Sequence, residues 1–295
     1  MMSNEINIQS VDLEKRKKTE KILSNIFSLP AITEIMQEAS RMLDDPTTST
    51  AELARLIGRD QGLSSRILSI ANSSLYGLPR KVATIDFALL VIGYKDTKNI
   101  VIALSLMEAF KNKNDANLNY KNVWVHSYSV GGAARKLAGD LGFKFSGEAF
   151  VAGLLHDFGI PVIHKYLHTS FVNIIDSVNK DGKSFLEAEA LHLGLTHQDI
   201  GRFLGERWNL PASLCDVLGY HHTPELAVNN LDLVSIVHIA DYAVNLIGDN
   251  GIIWDKDIKL SPEASERLKL KEADIVTFIN DFKVTLDQEI QVVKY

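Results

Sequence analysis

The chain has 295 residues, enough for one large or two ordinary domains with a core that folds without covalent staples. Hydrophobic residues make up 46% and charged residues 23%, which excludes a disordered, collagenous or coiled-coil chain as a whole-length description. With 31 Lys and Arg against 37 Asp and Glu the formal charge is −6, the wrong sign for an electrostatic binder of duplex nucleic acid. The one cysteine, Cys215, rules out an internal disulfide and fits a reducing compartment. Residues 1–16 are polar where a secretory signal would be apolar, and the longest apolar runs, 87–93 and 100–106, are far shorter than a membrane span. The expected location is the cytoplasm, with no membrane partner.

Helical periodicity recurs along almost the whole chain and no alternating strand pattern stands out, so the expected fold is all-α. Leu23, Ile26 and Phe27 form one apolar stripe. Pro30 can open a helix carrying Ile32, Ile35, Met36, Ala39, Met42 and Leu43, stopped by Pro46. Thr50 or Ser49 caps 51–58, Asp60 caps 62–75 and Thr84 caps 85–92, with Gly58, Gly77 and Gly93 as terminators. A longer helix over 96–110 ends before the polar stretch 111–119, which reads as a linker. Beyond it the spacing predicts helices over 122–141, 147–158, 162–166, 168–179, 184–193, 197–207, 211–219, 231–247 and 271–290. The last of these, with Ile275 to Val284, covers the core or mediates pairing.

Histidine usage divides the chain. None occurs in the first 125 residues, and all nine follow. His126, His156, Asp157, His197, His221, His222 and Asp241 form the strongest chemical signal, because helices that pack together can bring them to one point. Imidazoles with carboxylates suit Mn, Fe, Zn or Ni, whereas Mg prefers all-oxygen coordination. Asp157 is the natural bridge between two ions, which would clamp a phosphate and lower the pKa of a bound water. Singly, each residue reads as a hydrogen-bonded core histidine or a solvated acid; their order and spacing carry the reading. His164, His168, His192 and His238 read as packing, capping or surface groups.

That order, His126, then His156-Asp157 30 residues on, then His197, His221-His222 and Asp241, resembles the HD superfamily of metal-dependent phosphohydrolases. The resembling segments are WVHSYSVGGAARKLA (124–138), GEAFVAGLLHDFG (147–159), LTHQDIGRFLGERWNLP (195–211), LGYHH (218–222) and IVHIADYAVNL (236–246). Together with 29–46 and 52–104, including Asn72-Ser73, Tyr76-Gly77 and Val91 to Gly93, the chain is similar over about 20–250 to the HDOD group of bacterial signalling proteins. The resemblance implies a first metal on His126, His156, Asp157 and Asp241, and a second that adds His197 and His221 and shares Asp157. His222 would contact substrate or support the ligands from behind.

Against the related HD-GYP phosphodiesterases the chain has Ile160 for a lysine, Thr223-Pro224-Glu225 for the Gly-Tyr-Pro loop, and Asn122 for a third-metal carboxylate. Lys165 is the nearest replacement for the lost ammonium. The resemblance thus implies a regulatory module holding one or two divalent ions, with a protein partner or a small phosphorylated messenger. The alternative is a metal-dependent phosphohydrolase acting on a nucleotide or cyclic dinucleotide, in which Asp157 is the catalytic bridge.

A third reading comes from 52–58 and 63–68, whose spacing resembles a helix-turn-helix with Arg59 and Arg66 near DNA. The apolar residues Leu63, Ile67, Leu68, Ile70 and Ala71 instead predict a packed helix. The expected architecture is an N-terminal helical layer (20–115) after an extension (1–19), packed on an HD-like core (116–250), then a C-terminal helical extension (251–295).

Overall fold

The computed structural model describes residues 13–26, 34–45, 47–73, 76–112, 115–248, 252, 254 and 258–293. Among them the regular structure is helical and no strand occurs, as the periodicity predicts. The N-terminal helices are α1 (Leu13–Ser24), α2 (Glu34–Asp44), α3 (Thr50–Ile57), α4 (Gln61–Ala71), α5 (Ile85–Ile92) and α6 (Tyr94–Phe110). The histidine-bearing half contains α7 (Tyr120–Asp140), α8 (Ser146–Leu155), α9 (Gly159–Tyr166), α10 (His168–Asp181), α11 (Phe185–Leu193), α12 (His197–Arg207), α13 (Ala212–Tyr220) and α14 (Leu231–Ile247). The last two are α15 (Pro262–Arg267) and α16 (Glu272–Val293). Phe27, Pro30, Ile32 and Pro46 lie outside the described residues.

Capping chemistry sets several of these boundaries. Ser49 opens α3 and Ser184 opens α11 with reciprocal capping boxes to Glu52 and Glu187, while Asp60 and Thr84 accept from Leu63 N–H and Phe87 N–H. α4 stops at Ala71 rather than running to Leu75, because the Asn72 side chain takes over the backbone there. Its amide donates to the carbonyls of Leu68 and Val82 and its oxygen accepts from Val82 N–H. Ser74 and Leu75 lie outside the described residues. α8 likewise ends at Leu155, short of 158: Phe158 N–H turns back to Leu155 and Ile160 N–H to Asp157, a tight turn that frees Asp157 from the helix. α15 was not foreseen, although Ser261 caps it and Pro262 occupies its first turn.

α7 is the central helix, packed most extensively on α8 and then on α14, with α16 laid over α7 and α14. Ile275, Phe278, Phe282 and Leu286 are buried along one stripe of α16, so this helix covers the core. α6 joins the two halves by packing on α2 and α5 and also on α8 and α9. α4 buries Leu63, Ile67, Ile70 and Ala71. Its Arg66 pairs with Glu108 at 2.6 Å and lies 5.1 Å from the Trp124 ring centre, tying α4 to α6 and α7.

The α7–α8 crossing is set by two glycines. A Cβ on Gly153 would lie 2.8 Å from Gly131 Cα, and one on Gly131 would lie 2.7 Å from the Phe150 carbonyl oxygen. The helices therefore meet backbone to backbone, which brings His126 of α7 to the end of α8. Gly153→Ala is expected to destabilise the fold by about 1–3 kcal/mol through overpacking, measured as a lower urea midpoint with an unchanged m-value.

Candidate metal centre

Five separate stretches contribute to one interior cluster. His126 lies within α7, His156 and Asp157 in the turn after α8, His197 opens α12, His221 and His222 follow α13, and Asp241 lies within α14. All but His222 are 0–1% exposed, and His222 is half-buried. Gly159 makes the convergence sterically possible, since a Cβ there would lie 2.1 Å from the His197 carbonyl oxygen.

Asp157 divides the cluster between its two oxygens. Oδ2 lies 3.4 Å from His126 Nε2 and 3.2 Å from His156 Nε2, and those nitrogens are 3.4 and 3.7 Å from Asp241 Oδ1. Oδ1 lies 3.5 Å from both His197 Nε2 and His221 Nε2. His197 Nε2 is in turn 3.3 Å from His221 Nε2 and 3.1 Å from His222 Nε2. Metal bonds of about 2.1 Å place neighbouring ligand atoms about 3.0 Å apart in an octahedron and about 3.4 Å in a tetrahedron. Both groups of donors match that spacing.

The groups behind the imidazoles fix which nitrogen faces inward. Nδ1 of His156 lies 2.7 Å from the Gly153 carbonyl, that of His221 3.0 Å from the Val217 carbonyl, and that of His197 2.9 Å from Glu189 Oε2. These partners accept, so each Nδ1 carries a proton and each ring turns its Nε2 to the centre. Asp157 Oδ1 and Asp241 Oδ2 are buried with no hydrogen-bond partner. Imidazole nitrogens and orphaned carboxylate oxygens converging in a buried space call for cations, and the donor set fits metal binding: His126, His156 and Asp241 form one group, Asp157, His197, His221 and His222 another, with Asp157 Oδ2 also facing the first.

The electrostatics agree. Burial opposes ionisation of Asp157, but His156, His126 and His221 hold it well below the usual carboxylate range. Burial pushes His221 down to about 4, Asp157 offsetting part of the effect, and pushes His222 down with help from His221 and His197. His156 is lowered by burial but raised more by Asp157 and Asp241. Glu189 is raised by burial.

Three contributors escaped the sequence reading. Glu189 is an acid on the buried face of α11, beside Phe185, Ala188 and Leu193, and that interruption of an apolar stripe was the available signal. Asn245 stands four residues after Asp241 on α14 and donates to its Oδ1 at 2.9 Å, a helical neighbour that spacing could have flagged. Trp254 donates from Nε1 to Asp157 Oδ2 at 2.5 Å, and no local pattern announces it. His222 places its Nε2 among the ligand atoms rather than behind them. Lys165 does not serve as the replacement ammonium, because its amine donates to the Ala109 carbonyl beside the Phe110 and Tyr166 rings. His238 is a packing residue, its Nδ1 on the His221 carbonyl and its Nε2 accepting from Ser261 N–H, and His192 meets Ser177.

Between the ordinary histidine value of 6.5 and about 4, the unfolded chain takes up a proton that folded His221 refuses. Stability of the metal-stripped protein therefore falls as pH drops through that window, by up to on the order of 3 kcal/mol from this group. Denaturant melts at several pH values check this; His156, with its raised value, acts in the opposite direction. Glu189→Gln removes the charge behind His197 and is expected to weaken metal affinity by about 10- to 100-fold, measured by competition with a chromophoric chelator.

The HDOD domain family model matches residues 29–224. A Treponema pallidum (strain Nichols) protein described as uncharacterized is 21% identical over 239 residues, covering 80% of this chain and 46% of its own length. The chain thus spans about half the length of that curated relative. The solved structure of an HDOD domain protein with unknown function from Geobacter sulfurreducens superposes with a TM-score of 0.74 at 26% identity, covering 96% of this chain and 98% of that one. A candidate signal transduction protein from Marinobacter aquaeolei VT8 gives 0.70 at 20% identity, covering 98% and 68%. A candidate metal-dependent phosphohydrolase from Shewanella amazonensis SB2B gives 0.62 at 18% identity, covering 93% and 98%.

Proposed function

Because the chain belongs to the HDOD domain family, we propose that it works as a bacterial signal-transduction module built on a two-metal centre, binding a protein partner or a small phosphorylated messenger. The single observation that carries this reading is the enclosure of the centre. Six of its ligand residues are buried to 0–1% exposure, and the buried Trp254 indole holds the shared carboxylate while packing edge-on to His126, with ring centres 6.4 Å apart. Hydrolysis of a phosphate ester needs an open coordination position that the ester can reach.

Two further features support regulation over turnover. Ile160, fully buried, stands where the related phosphodiesterases place a phosphate-neutralising lysine, and Lys165 is engaged elsewhere. A metal that binds only the folded chain stabilises it, so the ligands keep a role without catalysis. The name of the Marinobacter relative, a candidate signal transduction protein, agrees with this reading.

The completeness of the donor set favours a second reading, a metal-dependent phosphohydrolase, which accords with the name of the Shewanella relative. Bound ions would polarise a phosphoryl oxygen and supply hydroxide at neutral pH. In that case Asp157 would hold both ions in register, His126, His156 and Asp241 would fix one, and His197, His221 and His222 the other. Trp254 would have to leave Asp157 to admit the ester.

Protein loaded separately with Mn, Fe, Zn and Ni and incubated with cyclic di-GMP and bis(p-nitrophenyl) phosphate separates the two. The regulatory reading expects about two ions per chain by elemental analysis, lost in Asp157→Ala, and no turnover with either substrate. Turnover that disappears in Asp157→Ala would establish the hydrolase instead.

A further inference from the structure

A second group of ligand-type side chains lies outside the centre, where the segment between α6 and α7 meets the junction of α9 and α10. Asp115 Oδ2 lies 3.1 Å from His164 Nε2 and 2.8 Å from His168 Nε2. His164 belongs to the last turn of α9 and His168 opens α10. Leu167 between them leaves the helical conformation, with φ −127° and ψ 36°, and the two rings come to lie with centres 5.0 Å apart. Sequence spacing alone reads these histidines as packing or surface groups; the fold brings them together on an acid nearly fifty positions away.

Each member is held from behind. Asp115 Oδ1 accepts from the N–H groups of Asn117 and Leu118 at 2.8 and 3.0 Å, which leaves Oδ2 to face the imidazoles. The His164 ring is buried, with Tyr120 at 5.7 Å and Phe171 at 5.1 Å between ring centres. The Tyr120 hydroxyl lies 3.3 Å from His164 Nδ1 and donates its proton to the Phe110 carbonyl. Nδ1 of His164 is thereby tied to the Tyr120 hydroxyl, which leaves Nε2 to face the Asp115 carboxylate. One carboxylate oxygen and two imidazole nitrogens from three separate segments therefore face a common point, the grouping a metal ion requires. The His168 side chain is 48% exposed, which gives an ion a way in.

We propose that Asp115, His164 and His168 bind one divalent transition-metal ion of the kind imidazole favours, zinc, cobalt or nickel, at a peripheral site distinct from the two-metal centre. The observed separations sit near the roughly 3.0 Å expected between adjacent ligand atoms in an octahedron with bonds of about 2.1 Å. Two imidazoles and one carboxylate leave the remaining positions to water, so the ion exchanges. Its bonds join the segment before α7 to the start of α10, cross-linking parts of the chain that otherwise meet only by hydrogen bonds and packing.

The test compares the full-length wild type with His168→Ala and Asp115→Asn, two changes at partly exposed side chains, by calorimetric titration with Zn(II) and Ni(II). The reading is the difference between proteins, so it holds whatever the two-metal centre contains. The wild type is expected to take up one more ion per chain than either variant, or to bind it at least about 10-fold more tightly. Zinc should also raise the wild-type melting temperature more than that of His168→Ala, while both variants melt as the wild type does in chelator. Equal stoichiometry and affinity in all three proteins would overturn the site. So would a loss of binding in the variants that is matched by their unfolding in chelator, since that would trace to fold rather than ligation.

Discussion

Asp157 is the constraint around which the histidine-bearing half is arranged. A buried carboxylate costs several kcal/mol in lost hydration unless charge and hydrogen bonds replace the water. Here the replacement comes from five stretches of the chain, which face four imidazole nitrogens and an indole N–H toward its two oxygens. The backbone has to come close for those short reaches to work. α7 and α8 touch through Gly131 and Gly153, and the turn carrying Asp157 abuts the start of α12 through Gly159. Helix packing and ligand geometry are therefore one problem, solved by the same small residues.

Orientation is as deliberate as position. His156 and His221 direct Nδ1 to carbonyls of their own preceding helix, so local backbone alone presets their inward-facing Nε2. His197, at the first position of α12, has no preceding helical turn to supply a carbonyl, and Glu189 takes that place from a neighbouring helix. Glu189 also accepts the backbone N–H of His197, which fixes the start of α12 against α11.

Enclosure connects the centre to the rest of the chain. Trp254 reaches it from beyond α14, α16 covers α7 and α14 from outside, and α6 carries packing between the N-terminal layer and α8 and α9. The cluster is thus packed against elements from both ends of the chain. The N-terminal layer takes part through Arg66, whose pairing with Glu108 and contact with Trp124 hold α4 against α6 and α7.

Helix content, the caps at Ser49, Asp60 and Thr84, and the grouping of the His and Asp side chains were legible in the residues themselves. Apolar periodicity and the Ser, Thr and Asp caps are local properties of the chain, and seven His and Asp side chains in that order announce a shared site. Errors clustered where a non-local contact decided the outcome. Asn72 ends α4 early by bonding Val82 across a loop, and the turn at His156 to Phe158 breaks a helix so that Asp157 can face inward. Glu189 and Asn245 carried faint signals of position, while Trp254 carried none, because an indole in a polar stretch reveals its partner only when the chain has folded. The residues by themselves determined which elements form and which chemistry they bear. Tertiary structure alone decided which oxygen meets which nitrogen, that Lys165 turns away, and that Asp115 meets His164 and His168, since distances of about 3 Å depend on packing between segments far apart in sequence.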